Sequence, residues 1–277
     1  MSITAQEVNK LRKMTGAGMM DCKKALTEAN GDFEAAIDLL RKKGQKVSAS
    51  RADRQTSEGS VFVSTNADGS EGVLIALNCE TDFVAKNEEF QALGKQILET
   101  AVQEKPDNRE ALLSLSAGDI TLGEKVVELI GKIGEKVEVS AYERLSAESV
   151  VAYIHSGSKL GVLVGLDGGN GSEVGLAGKD VAMQIAAMNP VAVDKDQVDS
   201  SIVEREMAIG REQAIAEGKP ENIVDKIAEG KLNKFYKENT LLNQSFVKDN
   251  SLTISKYLDS VKQGLTVRNF RRVAIGG

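Results

Sequence analysis

The chain opens with apolar positions at helical spacing. Val8, Leu11 and Met14 or Thr15 fall on one face, and Thr4 with Glu7 supplies the capping box that starts such a helix. Gly16-Ala17-Gly18 ends it. A second helix is predicted from about Met20 to Ala29, stopped by Asn30-Gly31. Asp32 caps a third, whose inward stripe is Phe33, Ala36, Ile37 and Leu40. Arg41-Lys42-Lys43-Gly44 closes it, with cations at the negative end of the helix dipole. Three helices with so few large apolar residues make a marginal unit, predicted over residues 1–44. The polar run 45–58, with Arg51, Asp53, Arg54 and Ser57, reads as a mobile linker.

The pattern then turns β-like and repeats. Ser60-Val61-Phe62-Val63 matches Ser149-Val150-Val151-Ala152, and Gly72-Val73-Leu74-Ile75-Ala76-Leu77 matches Gly161-Val162-Leu163-Val164-Gly165-Leu166. The offset is constant (149 − 60 = 89, 161 − 72 = 89). Each copy reads as two strands joined by a turn, Asn66-Ala67-Asp68-Gly69 in the first and His155-Ser156-Gly157-Ser158 in the second. A helix follows each hairpin, marked by Gly94-Lys95 and Gly178-Lys179, and here the offset falls (178 − 94 = 84). Copy one therefore carries five extra residues (89 − 84 = 5), in or around Asn78-Cys79-Glu80-Thr81-Asp82-Phe83-Val84-Ala85. A loop lengthened on a repeated scaffold is where binding work concentrates.

Between the copies, Phe90, Leu93, Ile97 and Ala101 form one helical stripe. Thr121 and Glu124 cap another helix, bearing Val126, Val127, Ile130 and Ile133. Val137, Val139 and Ala141 alternate with polar residues and are expected to give the second sheet its third strand. Beyond Asn189-Pro190, two long polar helices, about 198–216 and 221–236, are broken by Gly218-Lys219-Pro220 and predict a projecting hairpin. A short helix near 254–258 and a strand over 265–273 complete an α+β chain: residues 1–44, a linker, and two related antiparallel α+β subdomains at 59–145 and 146–277.

Composition narrows the function. A net charge of -6 argues against a dedicated nucleic-acid binder, and 4% aromatics without Trp leave little for base stacking. No run of about 18 apolar residues crosses a membrane, and the N-terminus carries no secretory pattern. Two cysteines cannot build a disulfide framework or a four-thiolate zinc site, so a cytoplasmic protein with free thiols is expected.

Candidate chemistry is sparse. Asp82 reads either as a binding carboxylate or as a helix N-cap, and Phe83 either as a protruding anchor or as core beside Phe90 and Leu93. His155, the only histidine, is by itself a turn residue; with Cys79 it would form the one conceivable nucleophile–base pair. Adjacent Met19 and Met20 cannot both face inward on one helix. Lys23-Lys24 and Arg41-Lys42-Lys43 read as solvated faces or, on a second reading, as a nucleic-acid patch. Gly168-Gly169-Asn170-Gly171 is a flexible turn without a phosphate-loop fingerprint.

Asn78-Cys79-Glu80-Thr81-Asp82-Phe83-Val84 resembles a signature of the elongation factor Ts family. Thr15-Gly16-Ala17-Gly18-Met19-Met20-Asp21-Cys22-Lys23-Lys24-Ala25-Leu26 is similar to that family's other signature, on a ubiquitin-associated-like helical domain. Lys132-Ile133-Gly134-Glu135, His155 with Gly161-Val162-Leu163-Val164, and Gln244-Ser245-Phe246-Val247 match in the same order and extend the resemblance over nearly the whole chain. The resemblance implies a non-enzymatic guanine-nucleotide exchange factor acting on elongation factor Tu, in its GDP-bound and nucleotide-free forms, with no catalytic residue, cofactor or metal. It implies that Asp82 and Phe83 enter the partner's GTPase domain near its magnesium and phosphate site, with Thr81 also in the partner contact. His155, Ile133 and Gly134 would touch the same domain, while Arg12, Met19, Met20 and Lys23 would dock the helical domain on its far side. Val247 would meet another domain of the partner, with Lys248 standing where a relative has an apolar residue. A homodimer or a two-plus-two assembly with the partner stays open. An additional C-terminal helical segment of some members is expected to be lacking.

Overall fold

The computed structural model describes residues 3–155 and 157–276. Its first three helices are α1 (Ala5–Thr15), α2 (Met19–Glu28) and α3 (Phe33–Ser50). The capping box forms: Thr4 Oγ1 accepts from Glu7 N at 3.2 Å, and the Glu7 carboxylate accepts from Thr4 N at 2.8 Å. Gly16, at φ 66°, ends α1. Val8, Leu11, Cys22, Ala25, Leu26 and Ala36 are the buried set between the three helices.

The third helix does not stop at Gly44. It runs on to Ser50, because Gly44 is a crossing point. A Cβ on Gly131 of the helix α7 (Leu122–Ile133) would lie 2.8 Å from Gly44 Cα, so the two backbones meet there. One turn on, Val47 packs against the first sheet's core. Residues 51–57 are then tied to that sheet rather than left as a free linker. Arg51 pairs with Glu80 at 3.2 Å, Asn78 Nδ2 donates to Thr56 O at 3.1 Å, and Lys136 Nζ donates to Arg54 O at 3.2 Å.

The repeat is visible in space. Strands β1 (Glu58–Thr65) and β2 (Glu71–Cys79) pair antiparallel, followed by α4 (Asp82–Ala85), α5 (Glu88–Glu104), α6 (Arg109–Ser114), α7 and β3 (Val137–Ser146). The second copy has β4 (Ser149–Ile154), β5 (Leu160–Asp167) and α8 (Ser172–Met188). After it come α9 (Ser200–Ala216), α10 (Glu221–Asn239), β6 (Ser245–Phe246), β7 (Asp249–Thr253), α11 (Ile254–Val261) and β8 (Thr266–Ala274). The sheet orders are β1-β2-β3 and β4-β5-β8. The expectation for β3 is therefore corrected: it belongs to the first sheet, with Ala141 opposite Ala76 and Val139 opposite Leu77. Alternation buries Val137 and Val139 against the helices of the first core, and β8 takes the corresponding place in the second sheet.

The two sheets face each other through residues related by the sequence offset. A Cβ on Gly72 would meet Val150 at 2.8 Å and Leu163 at 3.1 Å; one on Gly161 would meet Val61 at 2.4 Å and Leu74 at 3.2 Å. The helices interlock equivalently. A Cβ on Gly94 would strike the Phe62 ring at 2.2 Å, and one on Gly178 would strike Val151 at 2.4 Å. Even the breaks in register correspond, at Ala76/Leu77 and Gly165/Leu166. Further along, α9 and α10 pack on each other, burying only Gly210, Ala214, Val224 and Ala228, which accounts for their polar sequence.

Candidate partner-binding edge

The additional residues of copy one form the segment between β2 and α5, and they fold into the single turn α4. Thr81, not Asp82, is its N-cap: Thr81 Oγ1 accepts from Val84 N at 3.4 Å. The same hydroxyl donates to Glu135 Oε1 at 2.8 Å, and Thr81 N donates to Glu135 Oε2 at 3.0 Å. Val84 and Ala85 are buried in the first core and fix the inner side of the turn. Phe83 lies between those anchors in sequence but points away from the protein, 82% exposed. The core reading belongs instead to Phe90, which is 0% exposed. Asp82 is half-buried, and its carboxylate pairs with Lys86 Nζ at 2.7 Å. The hydrogen bond from Lys86 holds the Asp82 carboxyl below the usual carboxylate range, so it stays ionised at neutral pH.

Two neighbours flank α4. On one side is the end of α7, where half-buried Ile133 packs against the first core and Gly134, at φ 79°, terminates the helix. Glu135, which receives Thr81, follows directly. On the other side is a groove of about 670 Å³, with Asp82, Lys86 and Glu58 on one wall and Gly157, Ser158 and Lys159 on the other. The β1 strand and this turn are tied together there: Val61 N donates to Ser158 O at 2.7 Å, and Lys159 pairs with Glu58 at 2.6 Å. His155 opens that same turn; it is exposed, and its Nδ1 lies 2.9 Å from the Tyr153 hydroxyl. Thr81, Asp82, Phe83, Ile133, Gly134 and the hairpin of His155 thus share one edge.

The helical unit approaches this edge from the α7 side. Lys132 pairs with Glu89 at 3.2 Å, and a Cβ on Gly16 would lie 2.7 Å from Lys132 Nζ. Arg12, Met19, Met20 and Lys23 are all exposed, Met20 at 74%. Neither methionine faces inward. Of the two residues open for the third place in the α1 stripe, Thr15 takes it, half-buried with its hydroxyl donating to Leu11 O at 2.9 Å, and Met14 is a further exposed apolar residue of this unit. Val247 stands apart, exposed in the turn between β6 and β7. Its N–H donates to Gln184 Oε1 at 2.9 Å, and Lys248 beside it pairs with Asp180 at 2.6 Å.

The alternative chemistries fare poorly. Cys79 is buried and donates to Thr81 O at 3.1 Å, while burial and then the Glu135 charge push its thiol up to about 12. His155 is engaged with Tyr153. A buried thiol held this high is not arranged as a nucleophile, which leaves the pair without its attacking group. Because Cys22 is buried as well, the folded protein is expected to show almost no reaction with a thiol reagent at pH 8, and two reactive thiols after unfolding. Rapid native labelling of Cys79 would contradict this burial. Among the basic residues of the third helix, Arg41 pairs with Glu128 at 3.4 Å and Lys43 with Asp21, which removes much of a nucleic-acid patch. Among the described residues no cluster of three or more His, Cys, Asp or Glu could hold a metal, and no helix is long and apolar enough to cross a membrane.

Comparison with known proteins is consistent along the whole chain. The family model described as "Elongation factor TS" matches residues 80–277. The elongation factor Ts of Amoebophilus asiaticus is 59% identical over 276 residues, covering 100% of both chains. That of Cytophaga hutchinsonii is 59% identical over 275 residues, with 99% of each chain covered. That of Porphyromonas gingivalis is 51% identical over 276 residues, again with 99% of each covered. A family model matching well over half of the chain, together with relatives of this similarity aligned end to end, shows that the chain belongs to the elongation factor Ts family.

Proposed function

We propose that the protein is a guanine-nucleotide exchange factor for elongation factor Tu, acting in the cytoplasm during translation elongation and making no bonds itself. The observation that carries the reading is Phe83: a large apolar side chain left 82% exposed on a turn whose neighbours Val84 and Ala85 are buried. An exposed aromatic on a fixed support suits a pocket in a partner.

In a GTPase, GDP is held by phosphate-loop amides and magnesium. Phe83 would open the partner's structure around that site, and Asp82 would compete for the polar groups there. Lys86 is the group Asp82 must release to do so. His155, Ile133 and Gly134 would widen the same contact. Residues 1–50 would form a second docking unit through Arg12, Met19, Met20 and Lys23, and Val247 a third contact on another partner domain. Exchange follows from linkage: a factor that favours the nucleotide-free partner weakens GDP by the same ratio.

That ratio is the test. Binding of the chain to nucleotide-free elongation factor Tu should be at least about tenfold tighter than to the GDP form, within the usual span of allosteric coupling, and added GDP should disperse the complex. Equal affinity for both forms would eliminate an exchange role.

A further inference from the structure

We propose that Glu135 and Glu80 are positioning residues for exchange: they clamp α4 to the end of α7, so that Phe83 and the Ile133-Gly134 turn meet the partner as one rigid edge. The proposal rests on the role given above to Asp82 and Phe83.

A four-residue helical turn has no stability of its own, since nucleation costs more than one turn returns. Burial of Val84 and Ala85 secures the inner side of α4. Its start is secured by Glu135. Both carboxylate oxygens of that residue are used, one by Thr81 N at 3.0 Å and one by Thr81 Oγ1 at 2.8 Å. The hydroxyl then caps Val84 N, so a continuous chain of donors runs from the α4 backbone through Thr81 to Glu135. The tie is reciprocal. Glu80, the residue before Thr81, accepts from the backbone N–H of Lys136, the residue after Glu135, at 2.7 Å. Arg51 holds the same Glu80 carboxylate at 3.2 Å, joining the end of α3 to the clamp. Two adjacent residues on each segment therefore exchange hydrogen bonds with two adjacent residues on the other, across a sequence separation of more than fifty residues. Charge-assisted bonds are stronger than neutral ones, and a carboxylate using both oxygens adds geometric specificity. A displaced anchor costs rate even when every contacting residue is retained.

The test uses the full chain and elongation factor Tu loaded with fluorescent GDP. The variants are Glu135→Ala, Thr81→Val, Thr81→Ser and Glu135→Ala combined with Phe83→Ala. Glu135→Ala and Thr81→Val should each lower the limiting rate of GDP release about tenfold, with a shift of about twofold or less in the half-saturating concentration. Thr81→Ser keeps the hydroxyl and should recover most of the rate that Thr81→Val loses. Adding Glu135→Ala to Phe83→Ala should cost clearly less than its own tenfold, because much of the clamp's effect runs through Phe83. If Glu135→Ala lowers the melt, Thr81→Val carries the comparison. Unchanged release in Glu135→Ala and Thr81→Val, or a full further loss on the Phe83→Ala background, would overturn the clamp while leaving the exchange reading intact. Failure of the wild-type chain to speed release would remove both.

Discussion

Replacing Phe83 with Ala is expected to slow nucleotide exchange by about 2 kcal/mol or more, roughly thirtyfold, while leaving the thermal melt of the isolated chain almost unmoved. The side chain is 82% exposed, so truncation opens no cavity and gives up little burial. Its support stays in place, since Val84 and Ala85 keep their contacts with the first core and Thr81 keeps its bonds to Glu135. The loss would fall on the complex alone. A wild-type exchange rate for Phe83→Ala would remove the anchor from the account. A melt lowered as far as in a core mutant would mean that Phe83 is not exposed in solution.

Phe90→Ala is expected to do the reverse. Phe90 is 0% exposed and lies in the first core with Val84, Ala85, Leu93 and Ile97. Truncating a fully buried Phe removes its transfer free energy and leaves a cavity, a cost of about 3–5 kcal/mol in folding stability. Equilibrium denaturation of the two variants side by side therefore separates two phenylalanines that sit close in sequence. A Phe90→Ala variant as stable as the wild type would contradict the packing of α5 on the first sheet.

That contrast shows what the sequence could and could not carry. Phe90 was legible because Leu93, Ile97 and Ala101 share its period, and a stripe names its own inner face. Phe83 has no such companions, and a single aromatic residue in a loop has no period to read. The turn that carries it is held by burial of Val84 and Ala85 and by the tie of Thr81 to Glu135, a residue distant in sequence that no local pattern announces. Gly44 misled for a different reason. A glycine after three basic residues looks like a helix stop, yet here it is a crossing with Gly131, and only the partner helix distinguishes the two. The repeat was legible because its glycines are demanded by geometry: Gly72 with Gly161 between the sheets, Gly94 with Gly178 under the helices. The sheet to which β3 belongs was not, because alternation of Val137 and Val139 fixes which face is inward and not which edge is joined.

The exchange role is tested most directly by following release of fluorescent GDP from elongation factor Tu after mixing with excess unlabelled GDP, across a range of concentrations of this chain. The account predicts that release accelerates with chain concentration to a plateau at least about tenfold above the intrinsic rate, since a loss of affinity falls mostly on the dissociation rate. A release rate that stays at its intrinsic value, at concentrations where a complex is seen to form, would contradict it.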